Sequence, residues 1–463
     1  MVFTTLEFIC VFLPILLLVY VFINKKLANL LLLAASLFFY YCGDNSFLIL
    51  LLSLLFVVYI FGIFIDKYRK KKIGKVLLFI SIAIILSVLT YFKYTTFLMD
   101  NLAYLFNFRK MKLNILLPLG ISFFSFQMIS YLVDVYRKEK AIRNPIDLGL
   151  YICFFPQLIA GPIVRYKDIK EYLDVKYRKV DFDRIADGII RFCVGLSKKV
   201  LIANNFGGIV KVAFDMNVTH SVLFYWLGAI AFTLELYYDF SGYSDMAIGL
   251  AKVFGFNIQE NFNYPLAAKS IKDFWKRWHI SLSSFFKDYV YIPLGGNKCS
   301  KRRHIFNLMF VWFLTGLWHG ASWTFVLWGV LYGIFILIEE KVSFKGKLWG
   351  VIQRVLTLLI VLLLFVIFNS NGLDSAFKYI LSMFGIGVEH FIDYAFVYHF
   401  SNYFLLLLIG IVLAFPVIPK LKEKFKDNLL FNIVIYTLLF ICVVVSIASI
   451  YMYGYNPFLY FNF

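Results

Sequence analysis

The amino-acid sequence predicts an all-α integral membrane protein, a multi-pass helical bundle of about 10–12 spans with re-entrant and interfacial helices between them. Three observations carry that prediction. Of 463 residues, 62% are hydrophobic and only 16% charged, with a mean hydropathy of +0.80; a soluble domain has about 45–50% apolar and about 25% charged residues. Water cannot be the only solvent of such a surface, and lipid is the abundant alternative. The apolar residues fall in runs of roughly 20, the length that crosses the ~30 Å hydrocarbon layer as a helix. Between the runs stand short basic clusters, KYRKKKIGK (67–75), NKCSKRRH (297–304) and KLKEKFK (420–426), as the positive-inside rule expects of cytoplasmic loops.

Each element follows in order. Residues 5–24 form an apolar run with no basic region before it and no small-residue cleavage signal after it, so it reads as a retained first span. Lys25 and Lys26 place its end in the cytoplasm and the N-terminus outside. Spans over 27–42 and 46–65 lead out past Asp44 and back to the 67–75 cluster; 76–97 goes out, and 115–135 returns to Arg137, Lys138 and Lys140. Every strong basic cluster thus falls on one side. The segment RYKDIKEYLDVKYRKVDFDR (165–184) is too polar to span, and the apolar run 148–164 is short and interrupted by Pro156, Gly161 and Pro162, which predicts a re-entrant or interfacial segment. A further span covers 221–238. Residues 268–290 place Phe274, Trp278, Leu282, Phe285 and Tyr289 at intervals of three and four, the stripe of an amphipathic helix at the membrane interface or the rim of a cavity. Spans at 305–318, 323–340, 350–369, 403–418 and 429–450 follow. Lys341, Lys345, Lys347 and the 420–426 cluster mark cytoplasmic loops; the loop 370–402, with one lysine and Asp374, Glu389 and Asp393, lies outside, as does the tail YMYGYNPFLYFNF. No internal repeat or appended soluble domain interrupts the chain, which reads as a single membrane domain over 1–463: N-terminal helices (1–110), a central core (111–340) and C-terminal helices with an aromatic tail (341–463).

The formal net charge of +19 invites a nucleic-acid reading, but the cations are confined to loops between spans, where topology accounts for them. Cys10, Cys42, Cys153, Cys193, Cys299 and Cys442 have no CxxC or metal-type spacing and read as small apolar residues. His220, His304, His390 and His399 lack ligand spacing, so no metal is expected. Neither a GxSxG elbow nor a phosphate-binding Walker loop occurs.

Two histidines stand in company that suggests chemistry. His319 lies in TGLWHGASW (315–323), at the junction of two apolar helices, and His279 lies in FWKRWHISL (274–282). Ionisable side chains at membrane depth are costly and mark functional sites, although a hydrogen-bonded core histidine is the plain alternative. Gly316, Gly320, Ala321 and Ser322 around Trp318 and His319 are expected to leave room for a substrate, and a neutral imidazole can take a proton from a hydroxyl attacking a carbonyl. Glu235, Asp239 and Asp245 lie in or beside an apolar run; they either line a polar tunnel or are paired internally.

Five blocks, PLGISFFSFQMISYLVDVYR (118–137), IAGPIVRY (159–166), YYDFSGYSDMAIGLAKVFGF (237–256), NFNYPLAAKSIKDFWKRWHISLSSFFKDYVYIPLGGNK (261–298) and WHGASWTFVLWG (318–329), resemble in that order the membrane-bound O-acyltransferase family. The similarity is strongest to its alginate and peptidoglycan O-acetyltransferase branch, densest over 110–330. The resemblance implies a helical bundle around a transmembrane tunnel, with an acyl thioester such as acetyl-coenzyme A entering from the cytoplasm and an acceptor from the outer side. It implies that His319 is catalytic and that His279 supports it or positions the thioester. It also implies that Tyr460, in the tail PFLYFNF (457–463), carries the acyl group covalently, against the alternative of an aromatic interface anchor. Trp318, Trp278 and Asp239 become candidates for substrate contact. Lys276 and Arg277, with Lys272, are candidates for holding the coenzyme's phosphates, unless topology alone explains their charge. No bound cofactor is implied. The expected partners are the thioester donor, a cell-surface polysaccharide and an extracytoplasmic protein of the esterase-like SGNH type, and the expected location is the bacterial cell membrane. Two alternatives stand beside this reading: a D-alanyl transferase for teichoic acids and, in a different class, a polytopic transporter or flippase.

Overall fold

The computed structural model describes residues 1–109, 113–342, 347–454 and 457–459. Among them every regular element is helical and no strand occurs. In hydrocarbon, backbone polar groups have no water to bond, and a helix satisfies them within its own segment.

Among the described residues, seven helical segments are long and apolar enough to cross a membrane: Lys25–Gly43, Asn45–Tyr68, Lys72–Phe106, Trp323–Lys341, Leu348–Asn369, Tyr394–Leu413 and Leu429–Tyr453. Glu7–Phe22 and Ile121–Tyr136 are shorter apolar helices. The larger number of spans read from the sequence included two helices of mixed character. Lys301–His319 opens on Lys301, Arg302, Arg303 and His304, and the 32-residue Val222–Val253 carries Glu235, Asp239, Asp245 and Lys252. The expected 221–238 span therefore continues as helix well past its carboxylates. The 76–97 span likewise extends to Lys72–Phe106, 35 residues, or about 52 Å at 1.5 Å per residue, longer than the hydrocarbon layer. It stops at Asn107, whose left-handed φ of 50° is one that asparagine tolerates.

The chain divides into two compact units. One comprises Met1–Cys193, Tyr243–Glu260 and the described residues from Ile450 onward; the other comprises Val194–Gly242 and Asn261–Ser449. In the first, Phe3, Phe8, Phe39 and Phe155 form a ring cluster, with Phe3–Phe8 centroids 5.1 Å apart and Phe39–Phe155 5.5 Å. The broken segment 148–164 lies here and is buried throughout. Helix Pro145–Cys153 ends at Phe154, and only the single turn Phe155–Leu158 follows. Side chains serve the carbonyls the break releases: the Gln157 amide donates to the Tyr151 carbonyl at 2.5 Å and the Tyr151 hydroxyl to the Val164 carbonyl at 3.0 Å. Irregular backbone at depth is thus enclosed by protein, as lipid requires.

In the second unit Lys301–His319 and Trp323–Lys341 form a tightly packed hairpin. A Cβ at Gly316 would collide with the Phe325 carbonyl, and one at Gly329 with the Trp312 carbonyl, so these glycines let two backbones approach. Tyr225 and Tyr379 pack edge to face at 4.8 Å nearby, the Tyr379 hydroxyl donating to the Tyr225 carbonyl at 2.9 Å.

Candidate active site

His319 is the last residue of helix Lys301–His319; Gly320 is extended, and the Ser322 hydroxyl caps the next helix by accepting from the Thr324 N–H. Its imidazole packs edge to face on Trp328 (4.9 Å), Trp318 (5.1 Å) and Phe368 (5.4 Å) and is 2% exposed. The flanking glycines do not open space, as the sequence had suggested. Gly316 faces the Phe325 backbone and Gly320 the Phe325 ring; they bring the two helices of the hairpin together, and the shell around the imidazole is aromatic.

His279 does not lie on a continuous amphipathic helix. Ile271–Arg277 ends at an extended Trp278, His279 takes a left-handed conformation (φ 44°, ψ 54°), and Ile280–Phe286 starts afresh. For a non-glycine residue that conformation costs roughly 1–2 kcal/mol and persists only where its surroundings impose it. Asn261 imposes it here. The Asn261 carbonyl accepts from Ile280 N–H at 3.0 Å. The Asn261 side-chain oxygen accepts from Ser281 N–H (3.2 Å) and the Ser281 hydroxyl (2.9 Å), and lies 3.2 Å from His279 Nδ1. The break swings the imidazole off the helical stripe into the interior, 0% exposed, against Phe240 at 4.6 Å and Trp318 at 5.7 Å. Burial pushes its pKa well below the ordinary value, so the ring is neutral at physiological pH.

The structure therefore brings His319, His279 and Trp318 together, with the two imidazole centres 6.5 Å apart. Trp278 sits beside them but is committed to packing, stacked on Phe274 at 5.5 Å and edge-on to Phe262 at 5.1 Å. Arg277 is half-buried and donates to Asp273 at 3.0 Å, and Lys276 is exposed. Asp239 forms a buried ion pair with Lys199 at 2.5 Å, the two side chains 1% and 3% exposed. Tyr460 lies outside the described residues. Phe458, two positions before it, is buried edge-on against Tyr243 at 4.7 Å, and Tyr243 stacks on Phe3 at 4.9 Å. Sequence reasoning missed Asn261, Lys199 and Phe368. Lys199 alone left a signal, a cation followed directly by the apolar VLIA of 200–203.

An imidazole can take or give a proton at a hydroxyl or a thiol, so the buried pair of His319 and His279 is the candidate for such chemistry. The profile of the membrane-bound O-acyltransferase family matches residues 36–347, and the chain belongs to that family; it is an O-acyltransferase with several membrane-crossing helices. It is 39% identical over 396 residues to the probable alginate O-acetylase AlgI of Pseudomonas aeruginosa, covering 84% of this chain and 75% of that protein. It is 36% identical over 331 residues to the peptidoglycan O-acetyltransferase of Helicobacter pylori, covering 65% and 63%. Similarity to the teichoic acid D-alanyltransferase of Bacillus subtilis is 30% over 269 residues, 54% of this chain and 67% of the relative.

Proposed function

We propose that this protein moves an acetyl group from a cytoplasmic thioester, acetyl-coenzyme A, across the bacterial cell membrane to a hydroxyl of a cell-surface polysaccharide. The observation that carries the reading is the pair of buried imidazoles, His319 and His279, 6.5 Å apart, in a family of acyltransferases. The acetyl rather than D-alanyl donor is favoured by relatives: the alginate O-acetylase matches 84% of the chain and the D-alanyltransferase 54%.

In this mechanism His319 accepts the proton of an attacking hydroxyl as its oxygen bonds to the thioester carbonyl carbon. The tetrahedral intermediate collapses by breaking the carbon–sulfur bond, and His319 returns the proton to the departing thiolate. One ester and one thiol replace one alcohol and one thioester, and the histidine ends as it began. The first acceptor is the Tyr460 hydroxyl, from which an extracytoplasmic SGNH-type partner passes the acetyl group to the polymer. Lys276 and Arg277 face the coenzyme's phosphates at the cytoplasmic entrance, with both chain termini on the outer side. Trp318, in van der Waals range of both imidazoles, bounds the acyl group.

The test is single-turnover incubation of purified protein in detergent with radiolabelled acetyl-coenzyme A. Thiol release and label on the protein are expected from the wild type and not from His319→Ala. Unchanged turnover in a monodisperse His319→Ala preparation refutes the role, and absence of any thioester cleavage by the wild type returns the chain to the D-alanyl reading.

A further inference from the structure

On the reading that His279 takes part in acyl transfer, the hydrogen bonds around its ring select which of its nitrogens does so. Asn and Gln side chains are ambiguous where either end of the amide could face a partner, but the orientation of Asn261 is fixed by backbone. The Ser281 N–H, which can only donate, points at the Asn261 side-chain oxygen at 3.2 Å, and the Ser281 hydroxyl adds a bond of 2.9 Å to the same atom. That atom is therefore the carbonyl end of the amide. His279 Nδ1 lies 3.2 Å from it and 3.4 Å from the Ser281 hydroxyl, whose own hydrogen goes to Asn261 at the shorter 2.9 Å; a carbonyl oxygen has no proton to give, so the hydrogen between Asn261 and the ring belongs to Nδ1. A neutral imidazole carries one N–H, which leaves the lone pair on Nε2.

We infer that Asn261 is a positioning residue that locks His279 in its Nδ1–H form, so that Nε2 acts on substrate as a hydrogen-bond or proton acceptor and not as a donor to the thioester carbonyl. The partner at Nε2 is a substrate O–H or N–H: the acceptor hydroxyl, or an amide of the thioester's pantetheine arm. The oxygen of the tetrahedral intermediate must then be stabilised elsewhere. The backbone supports the same assignment. Asn261 holds Ile280 by its main-chain carbonyl and Ser281 by its side chain, so the residues after the left-handed His279 are clamped by the same asparagine that sets its proton. His319 is the titratable ring packed within reach, its centroid 6.5 Å away, and it must be allowed for in any titration.

The experiment is nitrogen-15 NMR of histidine-labelled protein in detergent, with the His279 signals assigned by their loss in His279→Gln, together with kinetics of Asn261→Ala and Asn261→Asp. In the wild type, Nδ1 is expected at the protonated position and Nε2 at the lone-pair position. Asn261→Ala is expected to mix the tautomers and lower kcat about tenfold or more. In Asn261→Asp the carboxylate still accepts from Nδ1 but stabilises the imidazolium. The acid limb of its pH–rate profile should therefore move up by about one unit or more, with kcat recovered above it. A selective rise of KM for the thioester identifies the pantetheine amide as the group at Nε2; a selective rise for the acceptor identifies the hydroxyl. An Nε2–H signal in the wild type overturns the inference. So does an Asn261→Ala enzyme with unchanged kcat and pH profile when His279→Ala is inactive. If His279→Ala is itself fully active, the functional reading of His279 fails, while the NMR still decides the tautomer.

Discussion

The ion pair between Lys199 and Asp239 offers a quantitative check on how the charged interior of the second unit is held. The two atoms are 2.5 Å apart, and the side chains are 3% and 1% exposed. At an effective dielectric near 20, Coulomb attraction at that separation is about 6–7 kcal/mol. Removing each ion from water costs several kcal/mol. The pair therefore contributes little net stability intact, yet either charge left alone keeps its desolvation cost and loses its compensation. Lys199→Met should destabilise by about 3–5 kcal/mol, because Asp239 keeps its desolvation cost without its counter-ion. Asp239→Leu should cost a similar amount. The double variant, which replaces both charges by apolar side chains, should recover at least about half of that loss. Unfolding of the purified proteins in detergent, followed by tryptophan fluorescence across a denaturant series, supplies the four corners of the cycle. Single variants each within about 0.5 kcal/mol of wild type, or a double variant that is simply additive, would refute the reasoning.

Other outcomes follow from the same geometry. His319→Ala should lower the rate of acyl transfer by about 10²–10⁴-fold while the protein still elutes as a monodisperse peak, measured by thiol release. Gly329→Val should abolish folded yield, because its side chain would meet the Trp312 carbonyl, and size-exclusion of a fluorescent fusion reads this directly. Asp393 caps helix Tyr394–Leu413, accepting from Phe396 N–H at 2.7 Å and from Ser221 N–H at 2.8 Å. Asp393→Ala should cost about 1 kcal/mol in unfolding, with Asp393→Asn much milder. Burial works to raise the Asp393 carboxyl, but these backbone bonds outweigh it and hold it below its ordinary value. Its contribution is therefore complete above the unfolded carboxylate range, near pH 4, and is lost as pH falls through the lower folded value, so the wild-type and Asp393→Ala stabilities should converge in acid.

Much of the architecture was open to reading because the bilayer imposes simple rules. A run of apolar residues must become a helix, and a basic cluster must end it; the helices at 323–341 and 429–453 follow from those rules almost to the residue. The rules weaken where charge and apolar surface mix. The span expected over 221–238 continues as helix to Val253, past an Asp239 whose burial the neighbouring Lys199 makes tolerable. The amphipathic stripe of 268–290 was read as one helix because each half has the right period. Nothing in that periodicity announces the left-handed residue at His279, which is sustained by hydrogen bonds accepted by an asparagine 18 positions away. The glycines around His319 were legible as small but not as to purpose. Whether a missing side chain makes a cavity or a close contact depends on what stands opposite, here Phe325.

By itself the sequence determined the solvent, the helical class, the family and the two histidines, because hydrophobicity and motif order are properties of the chain read in line. Only the tertiary structure decided that His279 turns inward, that Asn261 holds its Nδ1, that Asp239 is neutralised by Lys199, and that aromatic rings enclose His319. Those are pairings between residues far apart in the chain, each fixed by a distance of a few ångströms that no local pattern encodes.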